Sequence, residues 1–353
     1  MAVNIQGIGA VGGFGCGVEA LRNALRQGSV PPRQVTLEHP GEAGEEFPAY
    51  LAATGELERF IPKRELRRID HFSKMTLLGA CLALEDAALL DGDRSRIGVV
   101  VASGYGPLKT TFSFLDSYLD FGYSCSSPTH FSNSVHNAAA AHVAMQLKLT
   151  APNLTVTQFD MSVPSALMTA LQWLAEDRVD QVLFGAVDEY CAVLRYCRRQ
   201  FFGAGEQGPL APLELARQTA VVGEGAAFFV LARPESAAAY GRIDGVCLGN
   251  HQRRPVRLPE TDGLIVGADG HHRCGVWYQQ VITGRQVAAC APVYGSFPAA
   301  AAFDLAVAAL ALRDGNLTVD EPPGGDGQAV DVSRLACLKF AAGGEYGLIR
   351  LSR

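Results

Sequence analysis

An α/β fold on a largely parallel sheet, with a hint of two similar halves, is what this sequence predicts. Three observations carry it. Short apolar runs are too brief for helices; alanine-rich segments at helical spacing lie between them; and that order restarts after about residue 240.

Residues 3–8 alternate weakly and end in glycines, and residues 18–26 carry apolar side chains at helical spacing, so the chain opens strand, turn, helix. Residues 31–62 are rich in Pro, Gly and Glu and predict a surface excursion. A long helical pattern over 64–90 leads into RIGVVVAS at 96–103, the continuous apolar run expected of a buried strand. Residues 129–147, polar and then alanine-rich, predict a closely packed helix. A strand at 153–157, a helix at 165–177 and a strand at 181–184 follow, and these β-α-β units imply parallel pairing. Residues 221–231 read as another strand. The pattern restarts at 242–248 after a Pro-Glu-Ser-Ala turn, which puts the boundary between halves near 235–240, giving units 1–237 and 238–353. The second unit offers strand candidates at 264–266 and 287–290, an alanine-rich helix at 299–313, and final strands at 335–340 and 347–351.

With 353 residues, the chain can bury a large sheet. Its formal net charge of −6 supplies no basic footprint, which argues against nucleic acid and anionic membranes as partners while leaving room for a local carrier-docking patch. The longest apolar stretches, 288–293 and 299–312, stop well short of the ~20 residues of a membrane span. No basic residues precede the first apolar run, so a secretory signal is not expected and the cytoplasm is. The nine cysteines are scattered singly, without metal-type spacing, and read as reduced.

Some motifs carry less than they suggest. Gly7-Ile8-Gly9-Ala10-Val11-Gly12 fits the dinucleotide fingerprint G-x-G-x-x-G, but no acidic strand end follows at the required distance; a turn needing glycine explains it better. Asp269-Gly270-His271-His272-Arg273-Cys274 gathers metal-capable groups, yet adjacent histidines diverge and no second segment matches, so no metal is expected. There is no G-x-S-x-G elbow.

Several segments in register together resemble the β-ketoacyl-acyl-carrier-protein synthase family. They are the opening GIGAVGGFGCGVEALRNALRQG, then IGVVVASGYGPL, then NSVHNAAAAHVAMQLKLTAPNLTVT with Asn133, Asn137, His142, Pro152 and Asn153 at matching places. VLFGAVDEY, GEGAAFFVL and KFAAGGEYGLI follow, the last keeping Gly343 and Gly344. The resemblance implies a thiolase-like five-layer αβαβα sandwich of two pseudo-duplicated halves, and no cofactor. It also implies a two-fold interface containing Asn133, Asn137, Ala139 and His142.

The family's condensation uses a cysteine thiolate at a helix N-terminus and two imidazoles that hydrogen-bond the thioester oxygen. Extending PNLTVT without a gap puts Asp160 at the cysteine position, where a helix-capping role is the plainer reading. Asp269 of Ala268-Asp269-Gly270 matches one histidine position, although a two-residue shift of register would bring His271 there instead. Ser296 matches the other, with Ala291 where the family has lysine. Phe159, Ser162, Phe297 and Phe340 are candidates to line the pocket.

Loss of all three groups implies a non-condensing member. The favoured expectation is a chain-length-factor-like partner of an active ketosynthase, served by an acyl carrier protein, in a fatty-acid or polyketide-type pathway. Two alternatives stay open: an enzyme that uses Asp160 and Asp269 as acid and base on an acyl thioester, and a non-catalytic acyl-binding homodimer. The sequence leaves homo- or heterodimer undecided.

Overall fold

A computed structural model describes residues 2–37, 45–203, 208–320 and 327–353. In chain order the first part runs β1 (Val3–Gly12), β2 (Gly15–Cys16), α1 (Val18–Gln27), β3 (Arg33–Leu37), β4 (Glu45–Ala49), α2 (His71–Asp86) and β5 (Ile97–Ser103). It continues with α3 (Leu108–Phe121), α4 (Pro128–Ser134), α5 (Ala138–Gln146), β6 (Asn153–Thr157), α6 (Ser162–Ala175), β7 (Gln181–Asp188), α7 (Ala192–Phe202) and β8 (Gly225–Ala232). The second part comprises β9 (Arg242–Asn250), β10 (Gly263–Val266), α8 (His272–Ile282), α9 (Ala291–Tyr294), α10 (Ala301–Asp314), β11 (Asn316–Val319), β12 (Gln328–Asp331), β13 (Arg334–Phe340) and β14 (Glu345–Ser352).

The strands order themselves as two copies of one pattern. In the first, β1-β8-β7-β5-β6 has two antiparallel pairings followed by two parallel ones. In the second, β9-β14-β13-β10 repeats that sequence of directions, and the fifth strand shrinks to one parallel bridge, Ile265 to Ala288. The halves join where β1 pairs β9 over two residues only. The sheet is therefore mixed, not the largely parallel one expected, because each half closes with a strand that returns antiparallel.

Side-chain alternation sorts the layers. Val99 and Val101 of β5 face α2 and α5, while Val100 and Ala102 point the other way, into a core shared with α6 and α10. On the second half Leu335 and Cys337 face that shared core, and Ala336, Leu338 and Phe340 face α8. The result is helix, sheet, helix, sheet, helix.

Strand β1 runs through the whole glycine motif instead of turning at it. A Cβ on Gly9 would stand 2.1 Å from the Gly79 carbonyl oxygen of α2, and one on Gly7 2.5 Å from that of Ala83. These glycines admit the helix to the strand, which explains the motif without a nucleotide.

Other expectations are corrected. The Pro-rich stretch includes the paired strands β3 and β4, with 38–44 outside the described residues. The helix expected over 129–147 is broken between α4 and α5. Residues 287–290 form isolated bridges, not a strand. Helices α3, α7 and α8 were not anticipated. Among the described residues no helix is long and apolar enough to cross a membrane.

Candidate functional site

Strand ends and helix starts converge beside the shared core. Asp160 lies in the 3-10 turn between β6 and α6, directly after Phe159, whose φ of +46° is a left-handed conformation uncommon outside glycine. Asp269 follows β10 in the turn into α8, and Ser296 lies between α9 and α10; both are buried. Lys339 comes from β13 and is also buried.

Lys339 ties the site together. Its Nζ is 3.3 Å from Asp269 Oδ2 and 3.8 Å from Asp160 Oδ1, and it donates to the Gly267 carbonyl at 3.0 Å. Ser296 Oγ donates to the same Asp269 oxygen at 2.9 Å. From α7, Arg198 Nη2 donates to Ser296 Oγ at 2.8 Å and to His271 Nε2 at 2.6 Å. A ring nitrogen that accepts from a guanidinium carries no proton, so His271 is neutral there; its other nitrogen lies 2.7 Å from the Gln218 side-chain amide and Phe202 stacks on its face. Both Asp269 and His271 thus face the cluster, Asp269 touching Ser296 and His271 touching Arg198.

These contacts set the charge states. Burial alone would raise the Asp269 carboxyl, but Lys339 above all, helped by Arg198 and the Ser296 hydroxyl, holds it well below the usual carboxylate range. Asp160 goes the other way: burial and the nearby Asp269 charge raise it against the pull of Lys339, although 26% of its side chain stays open. Burial, reinforced by Arg198 and opposed by Asp269, lowers His271 to about 3. The lysine is held protonated by the two aspartates despite its burial. Cys274, in the first turn of α8, is buried and its thiol is pushed well up by that burial.

Asp160 does not cap α6. The helix has no side-chain cap, and the carboxylate turns to Lys339 because an ammonium attracts it more strongly than a peptide N–H. Ser162 serves the backbone: its Oγ accepts from Gln158 N at 2.7 Å and reaches the Ser103 carbonyl at 2.9 Å. Of the aromatic candidates, Phe159 is exposed and edge-on to Tyr105. Phe297 instead packs on Phe303 in the shared core, and Phe340 on Tyr278 in the outer one, since both strand and turn direct them inward.

The residues expected at a two-fold interface are largely used within the chain. Ala139 is fully buried against α2, whose close approach needs the small side chain. Asn133 donates to the Arg68 carbonyl at 2.8 Å and meets His142 Nε2 at 3.1 Å. Asn137 alone of the four is exposed, ahead of α5.

Sequence reasoning missed Lys339, Arg198 and Gln218. A lysine inside the apolar run Leu335–Phe340 was the available signal for the first; Arg198 lay in the helix whose pattern went unread.

A family model described as "Beta-ketoacyl synthase, N-terminal domain" matches residues 2–237, and the chain belongs to the β-ketoacyl synthase family. A 3-oxoacyl-[acyl-carrier-protein] synthase 2 of Rhizobium meliloti (strain 1021) is 26% identical over 302 residues, spanning 77% of this chain and 68% of that protein. Matches to synthases of the same description from Staphylococcus aureus cover about half of their length, 50% for strain N315. Among solved structures, the ishigamide ketosynthase/chain length factor superposes with a TM-score of 0.84 at 19% identity, covering 99% of this chain and 98% of that one. The ketosynthase ApeO in complex with its chain length factor ApeC from Xenorhabdus doucetiae gives 0.79 at 15% identity, covering 99% and 98%. The fold is that of the thiolase-like ketosynthases.

Proposed function

We propose that this chain is a non-condensing, chain-length-factor-like subunit that pairs with an active ketosynthase and works with an acyl carrier protein in fatty-acid or polyketide-type biosynthesis. The observation that carries the reading is the ion cluster. Where the family takes an acyl group on a thiolate, Asp160 would form a reactive anhydride. Where it holds the thioester oxygen with imidazoles, ionised Asp269 can only accept hydrogen bonds, and the single Ser296 proton goes to Asp269. The thiol near the cluster, Cys274, stays protonated. Catalytic groups that act as a unit contribute ~10⁶-fold together in well-studied hydrolases, so condensation by this chain alone is expected to be negligible.

The surface supports a partner. Strand β6 ends the sheet, with its outer edge unpaired among the described residues. Met145, Leu154 and Met168 are exposed on β6 and the helices flanking it, and α3 and α4 expose Leu119, Phe121 and Phe131. A free strand edge beside apolar surface is a docking site for another chain. One of the similar structures, that of ApeO with ApeC, is itself a ketosynthase in complex with its chain length factor. In this reading the half-units are 1–237 and 238–353, and the protein works in the cytoplasm.

Co-expression with an intact ketosynthase from the same gene neighbourhood tests it. The pair should co-purify as a 1:1 complex that elongates acyl carriers, and Leu119→Asp should release the partner while leaving the chain folded. A stable monomer indifferent to the ketosynthase contradicts the reading, and a homodimer that retains acyl chains favours the acyl-binding alternative.

A second reading draws on the opposed shifts of Asp160 and Asp269, the pattern of a divided acid and base. It requires turnover of an acyl thioester that Asp160→Asn abolishes.

A further inference from the structure

Glu189 follows directly on β7 and is buried against the first turn of α3. Its Oε1 accepts from Lys109 N at 2.9 Å, which gives α3 an N-terminal acceptor that its own residues do not supply, since the helix has no side-chain cap. The other oxygen, Oε2, is buried without a hydrogen-bond partner among the described residues. A carboxyl group so placed ionises only at the cost of a desolvated charge.

Neighbouring charges add to that cost. Asp70, at the N-cap of α2, and Glu224, ahead of β8, both oppose a charge on Glu189, and His71 of α2 favours one. His71 is already engaged by Glu224 at 3.0 Å and is opposed by Lys109 of α3, while His142 of α5 acts on Asp70. Burial above all, with Asp70 and Glu224 and against the Lys109 bond, raises Glu189 to about 8. A local opening that lets water reach Glu189 frees it to ionise, and so becomes easier as pH rises through that value. The elements around it differ in what such an opening costs. Strands β7 and β8 and helix α2 are buried over most of their length, whereas Thr110 alone of the fourteen residues of α3 is. Helix α3 is therefore the element that gives way.

We propose that α3 is a proton-controlled docking element, its first turn held in place by Glu189 while that residue is protonated and released when it ionises. What the helix carries makes this a control of assembly. It exposes Leu115, Tyr118, Leu119 and Phe121, and it leans on α4 through Phe114 against Phe131, ring centroids 5.4 Å apart, and through a 3.4 Å bond from Thr111 Oγ1 to the Ser134 carbonyl. The consequence for docking rests on the partner-subunit reading; the release of the helix does not.

Hydrogen–deuterium exchange of the full chain, read by mass spectrometry at pH 6.5 and 9 and corrected for the intrinsic pH dependence of amide exchange, tests the helix. Protection over residues 108–121 should fall by about tenfold at pH 9, the effect of one proton over one pH unit above 8, while β5 keeps its protection. In Glu189→Gln, which keeps the acceptor oxygen and the shape but cannot ionise, α3 should be equally protected at both. Unchanged protection of α3 in the unaltered chain, a measurement that needs no variant to fold, overturns the proposal, and so does an equal fall in Glu189→Gln. Binding to an immobilised ketosynthase partner tests docking. The unaltered chain should lose about tenfold in affinity between the two pH values, and Glu189→Gln should bind equally at both. Equal affinity of the unaltered chain at both overturns the link from helix to partner. No binding at either pH contradicts the partner-subunit reading instead, and the exchange result still decides the helix.

Discussion

Two of the buried clusters of ionisable side chains each hold a carboxylate that burial pushes up, and only Asp269 of the first ends below its ordinary value while Glu189 of the second ends above it. In the first, Lys339 touches Asp269 and holds it ionised. In the second, Glu224 accepts from Ala52 N, Tyr190 N and His71, and among the described residues Glu189 accepts only from Lys109 N through one oxygen. The second Glu189 oxygen is buried without a partner among the described residues, and burial pushes the group up to about 8. Between Asp269 and Glu189 a cation in close contact makes the difference, and Asp160, farther from the same lysine at 3.8 Å, is still raised by its burial. Asp269 is therefore an ion paired with Lys339, while Glu189 holds its proton up to about pH 8.

The largest expected effect comes from removing the cation. Lys339→Met leaves Asp269 buried with Ser296 and the more distant Arg198 to hold it, and should destabilise the chain by about 3–5 kcal/mol in chemical denaturation. A loss below about 1 kcal/mol would mean that Arg198 carries the balance.

Next is a pair of opposed pH effects. Glu189 is raised from its ordinary 4.5 to about 8, so its contribution is fully present below pH 4.5 and is lost as pH rises through 8. His271 is lowered from 6.5 to about 3, so its contribution is present above pH 6.5 and is lost as pH falls toward 3. Between 4.5 and 6.5 the two slopes oppose each other. Relative to the unaltered chain, Glu189→Gln should gain stability with rising pH, by on the order of a few kcal/mol at pH 8 and above. His271→Gln should lose its relative disadvantage as pH falls. Parallel stability–pH curves for either variant and the parent would remove the contrast between the clusters.

A smaller change separates the two cations of the site. Ser296→Ala deletes the hydroxyl that joins Asp269 to Arg198 while leaving Lys339 in place, and should cost about 1–3 kcal/mol.

Much of the first half was legible because buried strands declare themselves: 96–103 and 181–184 fall within or across β5 and β7, while 153–157 coincides with the exposed edge strand β6. Helices α3 and α7 were not, since LKTTFSFLDSYLDF mixes β-branched and aromatic residues and AVLRYCRRQFF spends one face on arginines. The site was half legible. Asp160, Asp269 and Ser296 came from register with a family, but Lys339 is meaningful only when β13 lies against two turns distant in sequence. The small residues around Ala139 read more as interface than as core, and in this chain Ala139 itself is buried against α2.

The central claim, that this chain does not condense, is tested most directly by intact-mass analysis of the purified protein after incubation with an acyl-carrier donor and then malonyl carrier protein. No acyl adduct and no elongated product are expected from this chain alone. An acyl group found on any residue of the Asp160–Asp269–Ser296 cleft, and chased into product by the malonyl carrier, would contradict it.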